Sequence, residues 1–296
     1  MFSAADHEFM AQALRLAERG LYTTTPNPRV GCVIVKDGKV VGEGWHQKAG
    51  EAHAEVHALR AAGEGARGAT VYVTREPCSH HGRTPPCADA LVAAGVARVV
   101  AAMQDPNPQV AGRGITRLQA AGVVAECGLL EAEARELNIG FVARMTRGRP
   151  WLRLKVAASL DGKTALENGV SQWITGPAAR QDGHRWRARA CAILSGIGTV
   201  RDDDPRLNVR GVQTSRQPVK VIVDSRLALS LNAKFLDAGE VIVATACEDR
   251  ARVDALRGVG ADSLHLPDAN GKVDLSALLK ELGRRGVNEL HVEGGG

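Results

Sequence analysis

At 296 residues the chain is long enough for about two domains, each able to bury a core of its own. An apolar fraction of 44% is that of an ordinary globular protein, and no run of about 18 apolar residues offers a membrane span. The net charge of +5 is spread along the chain without a basic block and only 3% of residues are aromatic, which argues against a nucleic-acid-binding face and for a few arginines holding small phosphorylated ligands.

The opening residues carry acids and a helical period in place of a charged-then-apolar leader, so a cytoplasmic protein with no membrane partner is expected. Residues 5–19 are predicted helical, with Phe9, Ala13, Leu14 and Ala17 on one face and Gly20 ending the helix. The runs 30–36 and 39–44 flank Asp37-Gly38, a two-residue hairpin signal. Helix 53–62, strand 70–74, helix 87–94, strand 98–103, helix 115–121, strand 123–127 and helix 131–144 then alternate as in a layered α/β domain, set at residues 1–146. The basic, Gly- and Pro-containing stretch 145–150 reads as a linker. A second α/β pattern occupies 151–296, with strand 152–158, helix 177–191, strands 192–196, 219–224 and 240–244, helix 250–259, strand 262–266, helix 275–285 and strand 289–293. That alternation implies a largely parallel sheet covered by helices.

One constellation carries definite chemistry. His53-Ala54-Glu55, Pro77-Cys78 and Cys87 offer one imidazole and two thiolates, a donor set that suits zinc, and three protein ligands leave the fourth tetrahedral position to water. Glu55 is the carboxylate such a site needs to move protons between water, a ring nitrogen and departing ammonia, as in the hydrolytic deamination of a nucleobase. His53 and Cys87 are each predicted to begin a helix, where the end dipole favours negative charge. Two plainer readings stand beside this one. His53 and His57 are spaced like a metalloprotease pair, but that motif requires Glu where Ala54 stands. A closed structural zinc site would need a fourth ligand such as His57, His80 or His81. The other four cysteines, Cys32, Cys127, Cys191 and Cys247, fall in apolar strand or helix patterns, where a small thiol is usually buried, and no disulfide is expected.

The usual deaminase pattern has two residues between its cysteines, whereas eight lie between Cys78 and Cys87. The string Glu76-Pro-Cys-Ser-His-His-Gly-Arg-Thr-Pro-Pro-Cys87 resembles the long zinc loop of the bacterial bifunctional riboflavin-biosynthesis deaminase/reductase family. Arg75 stands where that family is expected to carry an apolar residue, which reads as a surface oddity. In the second half, Lys155 to Lys163, Trp173-Ile-Thr175, Gly196 to Leu207 and Glu293-Gly-Gly295 resemble the reductase of the same family. Spacing alone says less there, since Gly196-Ile197-Gly198-Thr199 and Gly294-Gly295-Gly296 are glycine clusters after predicted strands, each able to let backbone approach a phosphate.

The resemblance implies a cytidine-deaminase-like α/β/α domain with zinc followed by a dihydrofolate-reductase-like α/β domain using NADPH. The first would deaminate 2,5-diamino-6-ribosylamino-4(3H)-pyrimidinone 5′-phosphate and the second would reduce the ribosyl group of the product to ribityl. It implies substrate contacts at Asn27, His46, His80, Arg83, Asp105 and Asn107, although Asn27-Pro28 and Asp105-Pro106-Asn107-Pro108 would otherwise read as simple turns. In the second domain it implies cofactor contacts at Ala157, Trp173, Thr199, Asp203, Gly295 and Gly296. Ser171, Arg187, Leu207 and Arg210 fall around the phosphoribosyl group, and Lys155, Asp203 and Glu293 near the reacting sugar and base. The family continues for several tens of residues past the position of Gly296, so the second domain is expected to be C-terminally incomplete, and a homo-oligomer is expected. The rival functions are a zinc deaminase of another nucleoside or an RNA base, and a non-catalytic zinc-stabilised nucleic-acid-binding protein.

Overall fold

Ser3 fixes the first helix. Its hydroxyl accepts from the Asp6 backbone N–H at 3.1 Å while the Asp6 carboxylate accepts from the Ser3 backbone N–H at 2.8 Å, a reciprocal cap, and α1 runs Ala4–Glu18. In the computed structural model, which describes residues 1–79, 85–108, 110–171 and 173–294, the buried face of α1 is Asp6, Met10, Ala13, Leu16 and Ala17. The expected stripe is therefore rotated, and Phe9 and Leu14 are only partly covered. Asp6 sets the rotation, because its carboxylate accepts from Tyr72 Oη at 2.7 Å and from Arg98 Nη1 at 2.6 Å and so turns toward the sheet.

Strands β1 (Gly31–Lys36) and β2 (Lys39–Trp45) turn through Asp37 and Gly38, both at positive φ as a tight hairpin requires. There follow α2 (Ala54–Ala62), β3 (Thr70–Val73), α3 (Cys87–Ala93), β4 (Arg98–Ala101), α4 (Arg113–Ala120), β5 (Val124–Cys127), α5 (Glu131–Leu137) and α6 (Ile139–Arg147). The sheet order is β2-β1-β3-β4-β5, with β1 antiparallel to both neighbours and the remaining pairs parallel. Alternation along β1 sends Cys32 and Ile34 to a core shared with Ala54, Ala58, Leu91 and Leu118, and Val33 and Val35 to a core shared with Met10, Ala13 and Ala134. Helices thus cover both faces.

The single helix expected over 131–144 is broken at Asn138. The Arg29 backbone N–H donates to Asn138 Oδ1 at 2.8 Å, and Asn138 Nδ2 donates back to the Arg29 carbonyl at 3.0 Å, a partnership between positions 109 apart that helical periodicity cannot register. α6 then runs on to Arg147, so the first half of the stretch read as a linker is helical. The two compact units of the chain are Met1–Arg147 and Gly148–Gly296.

The second unit comprises β6 (Trp151–Lys155), α7 (Pro177–Arg189), β7 (Ala192–Gly196), α8 (Ile197–Asp203), β8 (Val219–Val223), β9 (Val241–Thr245), α9 (Arg250–Gly258), β10 (Ala261–His265), α10 (Leu275–Arg284) and β11 (Glu289–Glu293). Its sheet runs β10-β9-β8-β7-β11-β6 with every named pair parallel, and apolar clusters lie on both faces. α8 differs from the expectation: Gly196 at its N-cap and Gly198 inside its first turn mask a helix that is held by Ile197 and Val200 packing on Leu207, Leu227 and their neighbours. None of the six cysteines, all of them described residues, is in a disulfide. Among the described residues no helix is long and apolar enough to cross a membrane.

β2 carries α2 at very short range. A Cβ on Gly44 would stand 2.4 Å from the Ala54 carbonyl oxygen and 2.6 Å from the Ala58 nitrogen, so only glycine lets the first turn of α2 lie on the strand. Gly44→Ala is expected to destabilise the N-terminal unit by about 1–3 kcal/mol. The check is its urea or thermal unfolding midpoint, which should fall measurably below that of the parent chain.

Candidate functional site

His53 is the N-cap of α2, Cys87 opens α3, and Cys78 lies in the segment after β3. Their donor atoms all fall within 4.8 Å of one another. His53 Nδ1 is 3.3 Å from Cys87 Sγ and 3.6 Å from Cys78 Sγ. Bonds of about 2.0–2.3 Å at tetrahedral angles place ligands of one zinc ion roughly 3.5 Å apart, so the spacing fits the metal. Hydrogen bonding from Cys87 outweighs burial and pulls the Cys78 thiol down to about 3, whereas Cys87, facing Cys78, is pushed far up. These opposite directions describe two sulfurs dividing one proton. Cys78 is the better anion because the Cys87 backbone N–H also donates to it at 3.2 Å, and a divalent cation in place of the proton lets both ionise. The Cys78 sulfur likewise raises the pKa of His53 by hydrogen bonding, against its burial.

Glu55 is buried one position into α2 and is not one of the donor group, yet its carboxyl interacts with the Cys87 thiol. Burial raises its pKa, and the nearby His53 only partly opposes that. His57 lies outside the donor group, its Nε2 buried without a hydrogen-bond partner, and among the described residues no fourth ligand joins the three. His80, His81 and Arg83 lie outside the described residues.

Several expected substrate contacts gather here. Asn27 Nδ2 donates to His46 Nε2 at 3.1 Å, and His46 Nδ1 in turn donates to the Ala52 carbonyl at 3.1 Å, which fixes the neutral tautomer. Burial lowers the His46 pKa in keeping with that form, and its ring meets His53 edge to face at 5.6 Å. Asp105 and Asn107 follow β4, with the Asn107 backbone N–H donating to Asp105 Oδ1 at 2.9 Å. Two residues to which no role was given hold this wall. Glu76 is buried and accepts backbone N–H bonds from Asp105, Gly112, Gly114 and Ile115 at 2.7–3.3 Å. Arg75 is not a surface residue; it pairs with Asp105 at 2.5 Å.

In the second unit several of the expected residues sit at the carboxyl ends of parallel strands, where open α/β sheets bind ligands. Lys155 ends β6 and Glu293 ends β11 in direct register. Arg187, from α7, grips the Glu293 carboxylate with Nε and Nη2 at 2.5 and 2.8 Å and donates through Nη1 to the Asn208 carbonyl at 3.1 Å. Lys155 Nζ stands 3.8 Å from the same carboxylate. Burial acts to raise the Glu293 pKa, but the hydrogen bonds from Arg187, with the His291 ring nearby, overcome it and hold the group well below the usual carboxylate range. The Arg210 backbone N–H donates to His184 Nδ1 at 3.2 Å and its guanidinium to Asn208. Ala157 lies just past β6, while Thr199 and Asp203 are one helical turn apart on α8. Ser171 and Trp173 line a separate cavity of about 310 Å³ with Ser159, Lys163 and Leu166. Leu207 is buried in the core at φ 43°, so its side chain is committed to packing. Gly295 and Gly296 lie outside the described residues.

Three donors that leave room for water, with a buried carboxyl beside them but outside the donor group, place the first unit among zinc-dependent deaminases. Residues 3–103 match the cytidine and deoxycytidylate deaminase zinc-binding region, and residues 150–296 match the RibD C-terminal domain. The riboflavin biosynthesis protein RibD of Escherichia coli is 53% identical over 98% of this chain and 82% of its own length. The solved structure of Acinetobacter baumannii RibD superposes with a TM-score of 0.91 at 49% identity, covering 98% of this chain and 80% of that one. A Thermotoga maritima structure described as a diaminohydroxyphosphoribosylaminopyrimidine deaminase/5-amino-6-(5-phosphoribosylamino)uracil reductase gives a TM-score of 0.88 at 37% identity, covering 98% and 81%. The chain belongs to the RibD family.

The purified protein is expected to carry one zinc ion per chain by metal analysis. Cys87→Ala is expected to weaken zinc affinity by more than the roughly 10–100-fold that changes around a ligand cost; an undiminished affinity would show that Cys87 is not a ligand.

Proposed function

We infer that this chain is a bifunctional enzyme of riboflavin biosynthesis, a zinc-dependent deaminase followed by an NADPH-dependent reductase. The observation that carries the reading is the His53, Cys78 and Cys87 donor group with Glu55 beside it, in a chain similar to RibD proteins over nearly all its length. The substrate is 2,5-diamino-6-ribosylamino-4(3H)-pyrimidinone 5′-phosphate, which loses its 2-amino group as ammonia before the ribosyl chain is reduced to ribityl. An enzyme for another nucleoside or an RNA base is disfavoured by the match of residues 150–296 to the RibD C-terminal domain.

His53, Cys78 and Cys87 would hold zinc, whose Lewis acidity makes water nucleophilic near neutral pH. Glu55 takes a proton as water adds to C2, delivers it to the ring nitrogen, and then serves the departing ammonia. A carboxyl raised by burial suits a group that must both accept and release a proton. Asn27, His46, Asp105 and Asn107 orient the pyrimidine and its sugar, with His80 and Arg83 completing the set. In the second unit the strand-end residues fit an anionic dinucleotide and a phosphorylated sugar, since Arg187, Arg210 and Lys155 concentrate positive charge there. NADPH, when bound, supplies the hydride. Ala157, Trp173, Thr199, Asp203, Gly295 and Gly296 would hold it. Ser171, Arg187, Leu207 and Arg210 would hold the phosphoribosyl group, while Lys155, beside the ionised Glu293, offers the proton that accompanies hydride arrival. A cytoplasmic homo-oligomer acting on this small molecule and not on nucleic acid completes the reading, supported by the spread of charge and the low aromatic content.

Glu55→Gln is expected to cut ammonia release by about 10²–10⁴-fold with zinc content unchanged. Steady-state kinetics with parallel metal analysis make the check, and a variant retaining zinc and full turnover would exclude Glu55 as the proton carrier.

A further inference from the structure

We propose that Arg75 is a positioning residue of the deaminase site, acting through Asp105 to hold that carboxylate aimed as an acceptor for the N–H or O–H groups of the phosphoribosylaminopyrimidine. The inference rests on the deaminase reading above and deepens it.

Arg75 and Asp105 are both largely withdrawn from solvent, with side chains 13% and 6% exposed, and Arg75 Nη1 meets Asp105 Oδ2 at 2.5 Å. Arg75 stands three positions before Cys78, and its neighbour Glu76 accepts from the Asp105 backbone N–H at 3.1 Å. Adjacent residues of the segment that supplies a metal ligand therefore grip both the main chain and the side chain of Asp105. A carboxylate has about four acceptor sites. Arg75 takes one and the Asn107 backbone N–H takes another, which leaves acceptor capacity for a ligand at a position where direction is fixed.

Stability does not explain the arginine. Arg75 Nε is buried with no hydrogen-bond partner, and a buried guanidinium with an idle donor is a costly way to fill space that an apolar side chain of similar size could occupy. Removing the guanidinium leaves the buried Asp105 side chain with the Asn107 backbone N–H as its donor, free to turn away, and that change spoils it as an acceptor.

The test is a double-mutant cycle on the zinc-loaded full chain with R75L, D105N and the double variant, reading KM and kcat for ammonia release and, separately, the calorimetric affinity for the pyrimidine substrate in an E55Q background. R75L is expected to weaken binding about tenfold or more, with the loss mainly in KM, and to change it less than about twofold once D105N is present. R75K, which keeps the charge, is expected to recover part of the loss, and R75Q serves the same cycle where R75L does not fold. Equal losses from R75L with and without D105N, or binding within twofold of the parent, overturn the proposal. Absent turnover with intact binding and coupling counts against the deaminase reading and leaves the role of Arg75 standing; normal turnover without coupling does the reverse.

Discussion

Two helix starts have to meet at one point. His53 caps α2 and Cys87 opens α3, and each must arrive beside Cys78 with its donor atom facing inward before three ligands can share an ion. The sheet enforces this meeting. β1 and β3 are paired neighbours, β2 carries α2 at a distance only Gly44 allows, and the segment leaving β3 runs directly into Cys78. Ala54, Ala58, Ala88 and Leu91 pack in one core, so the same apolar burial that stabilises the unit fixes the separation of the imidazole and the thiols.

The two units solve the handling of buried charge differently. In the first, the thiols and Glu55 are withdrawn from water with few compensating partners, a state that favours uptake of a cation and raises the carboxyl's pKa. In the second, Glu293 is clamped by Arg187 and held well below the usual carboxylate range. The same residue type is thus pushed in opposite directions by the presence or absence of a guanidinium fork.

Local pattern carried much of this fold. Asp37-Gly38 between alternating runs announced the hairpin, the strand and helix alternation announced two α/β units, and the spacing of His53, Glu55, Cys78 and Cys87 announced the metal site, because each is a property of neighbours in sequence. What escaped depends on partners distant in the chain. The break at Asn138 needs Arg29, the rotation of α1 needs Tyr72 and Arg98, and α8 needs a core supplied by β8 and the residues after it. Arg75 looked like a surface residue for the same reason, since Asp105 is thirty positions away. Leu207, placed near the substrate by resemblance, turns its side chain into the core, a direction that no local pattern reveals.

The central claim is that three protein donors hold zinc and leave a coordination position open beside a carboxyl that does not bind the metal. X-ray absorption at the zinc edge of the loaded protein tests it most directly. The account predicts two sulfur ligands at about 2.3 Å, one imidazole nitrogen at about 2.0–2.1 Å and one light-atom ligand contributed by solvent, with the spectrum unchanged in Glu55→Gln. A second imidazole in the coordination sphere, or a light-atom ligand lost when Glu55 is replaced, would contradict it.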